Sequence, residues 1–262
     1  MDLHLTGKTA VVTGGSKGIG LAIVRALRAE GVTVVTGSRS ITAELRATGA
    51  HAVVADLSTV DGPGALIAEA LDHLGGIDIL VNNVGIGDPA DLLAGATSGV
   101  HELADEDWVR TFDLHFYSAL RTTRAALPSL IERNGTVINI SSAGAHLVAA
   151  GPAHYNVAKA ALNALTKVVA AQYGAQGVRA ITVSPGPVDT GVWNDPNGFI
   201  ALVAATQGVE HETFAKELLG SLGAATGRIT TPEEVAALVT FAASPNNISA
   251  TEILIDGGTV KG

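Results

Sequence analysis

The chain has 262 residues, 47% hydrophobic and 16% charged, which is enough apolar material to bury the core of one sizeable α/β domain. Its 16 basic and 25 acidic side chains give a formal net charge of −9, and with no basic run this argues against a nucleic-acid partner. The absence of cysteine excludes disulfides, thiolate catalysis and cysteine-bound metal.

Short β-branched runs alternate with alanine- and leucine-rich stretches. Thr9 to Thr13 reads as a buried strand, Gly20 to Glu30 as a helix and Val32 to Thr36 as a second strand. Further strands are expected at Ala52 to Ala55, Ile77 to Val81, Thr136 to Ile140, Arg179 to Val183 and Glu252 to Ile255. Continuous apolar strands separated by helices imply a doubly wound parallel sheet of about seven strands, with helices on both faces. Residues 1 to 262 read as a single domain without repeats or linkers. Ile86 to Glu106 and Pro187 to about Gly227 read as irregular, each following a strand end where such sheets bind ligands. No apolar run reaches the roughly 20 residues that span a bilayer, and the start lacks a signal pattern. A cytoplasmic protein without a membrane partner is expected.

Between the first strand and its helix lies Thr13-Gly14-Gly15-Ser16-Lys17-Gly18-Ile19-Gly20. Glycines there let the backbone turn tightly and approach a pyrophosphate, whose charge the helix end favours. Glycines at such turns also occur for steric reasons alone. Farther on, Tyr155 and Lys159 stand four residues apart in a helical stretch, thirteen and seventeen positions after Ser142. Side chains at i and i+4 share a helix face, so an ammonium there favours the ionised form of a phenol. Alone, the pair is more often an amphipathic tyrosine beside a solvated lysine; with the glycine turn and the serine it reads as a hydride-transfer site.

The spacing Gly-x-x-x-Gly-x-Gly, Asp56-Leu57, Asn82-Asn83-Val84-Gly85, Asn139-Ile140-Ser141-Ser142, Tyr155-x-x-x-Lys159, Pro185-Gly186 with Thr190, and Ile255-Asp256-Gly257-Gly258 occur in this order. Together they resemble the short-chain dehydrogenase/reductase family in its compact, single-domain branch, across almost the whole chain. The resemblance implies a Rossmann-type oxidoreductase in which Tyr155 is general acid or base, Ser142 hydrogen-bonds the reacting oxygen and Lys159 holds the nicotinamide ribose and lowers the tyrosine pKa. Ser141 lies one step off the family spacing and should face away. The family's fourth catalytic residue is an asparagine, and here His115 stands in its place. The histidine could preserve a backbone carbonyl that holds a relay water, join proton transfer, or simply pack. No histidine spacing implies a metal.

The resemblance further places Gly14, Ser16, Lys17, Gly18, Ile19, Gly20, Ser38, Arg39, Asp56, Leu57, Asn83, Gly85, Tyr155, Lys159, Pro185, Gly186, Val188 and Thr190 around a nicotinamide cofactor. Ser38 occupies the position where NAD-preferring members carry an acid, and Arg39 follows it. A guanidinium can grip a 2′-phosphate that an acid would repel, and Lys17 matches the same pattern, so NADP(H) is expected over NAD(H). By the resemblance, the loop after Gly186, about 187 to 227, is expected to form a lid bearing Val188, Trp193, Phe199 and Phe214, apolar residues that suit a hydrophobic carbonyl or secondary alcohol or else cover an oligomer interface or pack the lid onto the body. A homo-oligomer, with a tetramer favoured, follows from the resemblance and from alanines at 158, 160, 161 and 164. The alternatives are enoyl reduction, sugar epimerisation, or a nucleotide-binding sensor that has lost catalysis.

Overall fold

The structure is a computed structural model that describes residues 2–85, 89–147 and 151–261. The first half runs β1 (Thr9–Thr13), α1 (Gly18–Ala29), β2 (Thr33–Ser38), α2 (Ala43–Arg46), β3 (His51–Val54), α3 (Gly62–Leu74) and β4 (Ile79–Asn82). Then come α4 (Pro89–Thr97), α5 (Asp105–Phe112), α6 (Ser118–Glu132), β5 (Thr136–Ile140), α7 (Ala153–Tyr173) and β6 (Arg179–Pro185). The chain closes with α8 (Gly191–Asn194), α9 (Phe199–Thr206), α10 (His211–Leu222), α11 (Pro232–Ala243) and β7 (Thr251–Ile255). All strands pair in parallel in the order β3-β2-β1-β4-β5-β6-β7. The winding reverses between β1 and β4, which opens a crevice above the carboxyl ends of these strands.

Successive strand residues feed two separate cores, as the two-residue period requires. Val12, Val34, Val81, Ile138 and Val183 pack with α1 and α11 on one face. Val11, Val35, Leu80, Val137 and Ala180 pack with α3, α6 and α7 on the other. A buried polar seam lies among them. Asn82 Nδ2 donates to Thr123 Oγ1 (2.9 Å) and Asn139 Oδ1 (2.8 Å), Asn139 Nδ2 donates to Thr166 Oγ1 (2.8 Å), and Thr182 Oγ1 donates to the same oxygen (2.7 Å). At the opposite end of the sheet from the crevice, the Arg179 guanidinium donates to the carbonyls of Ala242, Ser244 and Ile248, to Asn246 Oδ1 and to Thr136 Oγ1.

Two segments that read as irregular are largely helical. Residues 86–88 lie outside the described residues; α4 and the start of α5 occupy most of the rest of the first segment. The second contains α8, α9 and α10. Their helix signals are local caps rather than a long apolar period: Thr190 accepts the Val192 N–H at 3.4 Å, and the Glu210 carboxylate accepts the N–H groups of Glu212 and Thr213 at 3.0 and 2.9 Å. The run Ile200-Ala201-Leu202-Val203-Ala204 in α9 is apolar throughout, so periodicity could not distinguish it from a strand.

Candidate active site

The turn between β1 and α1 is built for close approach. Gly14 and Gly18 adopt φ of +73° and +53°, a region that costs little only for glycine. A Cβ on Gly20 would stand 2.2 Å from the Gly14 carbonyl oxygen, and one on Gly15 would stand 2.3 Å from Thr36 Oγ1. The turn is held from beneath: Asn83 Nδ2 donates to the Thr13 and Gly14 carbonyls at 2.9 and 3.3 Å, and Thr42 Oγ1 donates to the Ser16 carbonyl at 3.0 Å. Asn83, expected to line the cleft, therefore spends its amide on bracing the turn. No acidic residue occupies the first turn of α1, so its amide end is left electropositive.

Above β5 and α7, Ser142, Tyr155 and Lys159 converge. Ser142 Oγ accepts the Gly144 N–H at 3.0 Å and shares a side-chain hydrogen bond with Tyr155. Ser141 donates its hydroxyl to the Lys159 carbonyl at 3.1 Å, turned away from the tyrosine. Lys159 is 3% exposed; its Nζ donates to the Ile140 carbonyl at 2.8 Å and lies 5.7 Å from the Tyr155 ring centre. Burial lowers its pKa to about 8. Burial also raises the Tyr155 pKa above its ordinary value, opposed by the hydrogen bond with Ser142. Desolvation outweighs that hydrogen bond, so the phenol sits above rather than below its ordinary value.

Between α5 and α6 the helix widens into a π-helical turn, Asp113–Tyr117, which carries His115. Its imidazole is 2% exposed and stands edge-on to the Tyr155 ring with centroids 5.0 Å apart. Nδ1 is buried and has no hydrogen-bond partner among the described residues. Burial first, then the charges of Lys159 and His154, push its pKa well below the ordinary histidine value.

Ser142 and Tyr155 open onto a cleft of about 280 Å³. Pro185, Gly186, Val188 and Thr190 line it, as do Trp193 and Phe199 of the segment expected to form a lid. Phe214 is not among the lining residues; Leu218 and Leu222 of the same helix supply that wall. Leu92 and Thr259, not foreseen from the motifs, complete it from α4 and from the turn after β7.

Comparison with known proteins fits this geometry. The profile of a family described as "Enoyl-(Acyl carrier protein) reductase" matches residues 14–260. L-fucose dehydrogenase of Mus musculus is 33% identical over 265 residues, covering 98% of this chain and 90% of that protein. The 3beta-hydroxysteroid dehydrogenase 1 of Eggerthella lenta is 32% identical, covering 97% of this chain and 94% of its own. L-sorbose reductase from Gluconobacter frateurii, solved with NADPH and L-sorbose, superposes with a TM-score of 0.87 at 29% identity over 100% of both chains. The chain belongs to the short-chain dehydrogenase/reductase family. It is an oxidoreductase acting on alcohol or carbonyl groups, with the family's Rossmann-type, nicotinamide-binding fold.

As a short-chain dehydrogenase/reductase, the protein carries its expected cofactor-side residues in different settings. Lys17, at the start of α1, and Arg39, after β2, are both exposed, while Ser38 is buried and donates to the Ser40 carbonyl at 2.8 Å. Asp56 is exposed; its carboxylate accepts from the N–H and hydroxyl of Ser58, which hold its pKa down with help from Arg39. Leu57 is buried at 2% in the core, so its side chain serves packing rather than the cleft. Gly18 lies under Thr190, where an added Cβ would stand 3.3 Å from the threonine Cγ2; the segment after Gly186 thus begins directly over the glycine turn. Among the described residues no helix is long and apolar enough to cross a membrane, and no acidic or histidine cluster could hold a metal.

Proposed function

We propose that this protein is an NADP-dependent reductase that interconverts a compact apolar ketone and its secondary alcohol, working as one domain with residues 187 to 227 as its lid. The observation that carries the reading is how the polar groups of the cleft are used. Ser141 donates to the Lys159 carbonyl, Asn156 to the Leu147 carbonyl at 3.4 Å, and Thr259 to the Asp256 carbonyl at 2.7 Å. That leaves Ser142, Tyr155, the Thr190 hydroxyl and the Trp193 indole among the side chains facing a substrate. A sugar would bury several hydroxyls without partners, each costing about 1–3 kcal/mol. One oxygen on an apolar body meets its needs at Ser142 and Tyr155.

NADPH, when bound, supplies the hydride. The glycine turn, where side chains would clash, and the acid-free end of α1 fit its pyrophosphate, and Lys17 and Arg39 fit its 2′-phosphate. The Tyr155 hydroxyl gives its proton to the carbonyl oxygen, and Ser142 hydrogen-bonds that oxygen as charge develops on it. With its pKa near 8, Lys159 stays cationic at neutral pH beside the phenol and stabilises the phenolate left behind. His115 packs edge-on against the Tyr155 ring as a neutral structural support. The relatives described above are named as dehydrogenases and a reductase, which weighs against a sensor without catalysis. The active form is a tetramer in this reading: Val157, Ala160, Ala164 and Val168 make an exposed apolar stripe along α7, whereas Ala158 faces the core.

The test is NADPH oxidation with cyclic and linear ketones beside aldoses and ketoses. We expect kcat/KM for the best ketone to exceed that of any sugar by at least about 100-fold, the scale set by unpaired buried hydroxyls. Preferential turnover of a sugar would overturn the reading.

A further inference from the structure

Helix α4, which follows β4, rests on both α9 of the lid and α7. Leu92 is 4% exposed and lines the cleft. Three residues on, and so on the same helix face, Gly95 lies against the imidazole of His154. A Cβ on Gly95 would stand 2.5 Å from His154 Cε1 and 2.8 Å from Nδ1. The imidazole has no easy retreat: His154 is completely buried, and Trp108 of α5 packs edge-on to it at 6.2 Å. Its Nδ1 accepts the backbone N–H of Tyr155 at 2.8 Å. A single side chain therefore touches both the helix that carries a cleft wall and the backbone that carries the proton donor.

We propose that α4 is a size gauge for the substrate, in which Leu92 forms the wall and the Gly95–His154 contact fixes that wall at a set distance from Tyr155. The inference rests on the apolar-ketone reading of the cleft. Leu92 is the specificity-determining residue, and His154 is a positioning residue acting through Tyr155. The glycine is required because any side chain at 95 would drive the imidazole towards the tyrosine backbone or lift α4 from it. Either movement alters the space between wall and hydroxyl without touching the glycine turn.

Two measurements test it. In the first, kcat and KM are measured with NADPH for cyclohexanone and 4-tert-butylcyclohexanone. Leu92→Ala should raise the bulky-to-small ratio of kcat/KM about tenfold or more, since each methylene of fit is worth about 10- to 200-fold. An unchanged ratio beside an active wild type would overturn the gauge and leave the reductase reading intact. In the second, Gly95→Ala is made in the wild-type and His154→Ala backgrounds. In the wild type it should lower Tm and kcat while NADPH affinity holds. With the imidazole truncated it should raise Tm, because alanine is the better helix former. Equal Tm changes in both backgrounds would remove the contact from the proposal. A wild type that binds NADPH but reduces no ketone would sink the reductase reading and the gauge's substrate, while the melting comparison still decides whether Gly95 and His154 are coupled.

Discussion

At Tyr155, desolvation outweighs the hydrogen bond with Ser142 and holds the phenol above its ordinary pKa, so the residue carries its proton at neutral pH, as the proposed proton donor requires. Tyr155→Phe should leave NADPH binding intact and cut turnover at least about 100-fold, the scale of a lost proton donor; near wild-type turnover would exclude Tyr155 from proton transfer. Arg39→Ala should weaken NADPH by about 1–3 kcal/mol and leave NADH little changed, read by titrating each cofactor separately. His115 calls for an acid-side test. Its folded pKa lies well below the unfolded value, so below about pH 6.5 the unfolded chain binds a proton that the folded chain refuses. That histidine therefore makes stability fall as pH drops through this window, and His115→Asn should relieve the loss in urea melts at pH 5 against pH 7. Because His115 stays neutral, the same variant should keep its activity and its pH–rate profile between about pH 5 and 8; a vanished ionisation would make His115 a proton carrier. The spacing of Ser142, Tyr155 and Lys159 was legible because it is a property of strand and helix periods. The direction of the tyrosine shift was not, because desolvation depends on what the rest of the chain lays over the site.

Among the elements, the entry into α1 tolerates little change. Gly20→Ala would place its methyl 2.2 Å from the Gly14 carbonyl oxygen, in backbone rather than in a side chain that could swing aside. NADPH affinity should fall at least about tenfold, as expected of a misplaced pyrophosphate cradle, and calorimetric titration would show it; unchanged affinity would move the cofactor away from this turn. Every strand was readable to within a few residues, since β-branched runs between helices leave few options. The helices α8 to α10 were not. Their stop and start signals are single caps such as Glu210 and Thr190, and Phe214 missed the cleft because helical rotation, invisible in an irregular loop, presents Leu218 and Leu222 instead.

For the whole molecule, the exposed stripe on α7 bears on assembly. Val157 and Val168 are 48% and 47% exposed, with Ala160 and Ala164 spaced between them on the same face. Small residues there permit close approach of a second helix, so if the proposed tetramer forms through this stripe, Ala164→Arg should yield smaller species by light scattering, and an unchanged mass would place the interface elsewhere. The Arg179 clamp carries a different consequence. Among the described residues strand β7 pairs only with β6, yet the segment leading into it, from Ala242 to Ile248, is pinned by one guanidinium that also reaches Thr136 on β5. Heat should therefore not fray the sheet strand by strand from that margin; the clamp makes β5, β6 and β7 a common cooperative unit, which places the first local openings at the opposite margin, around the short β3 and its four paired residues.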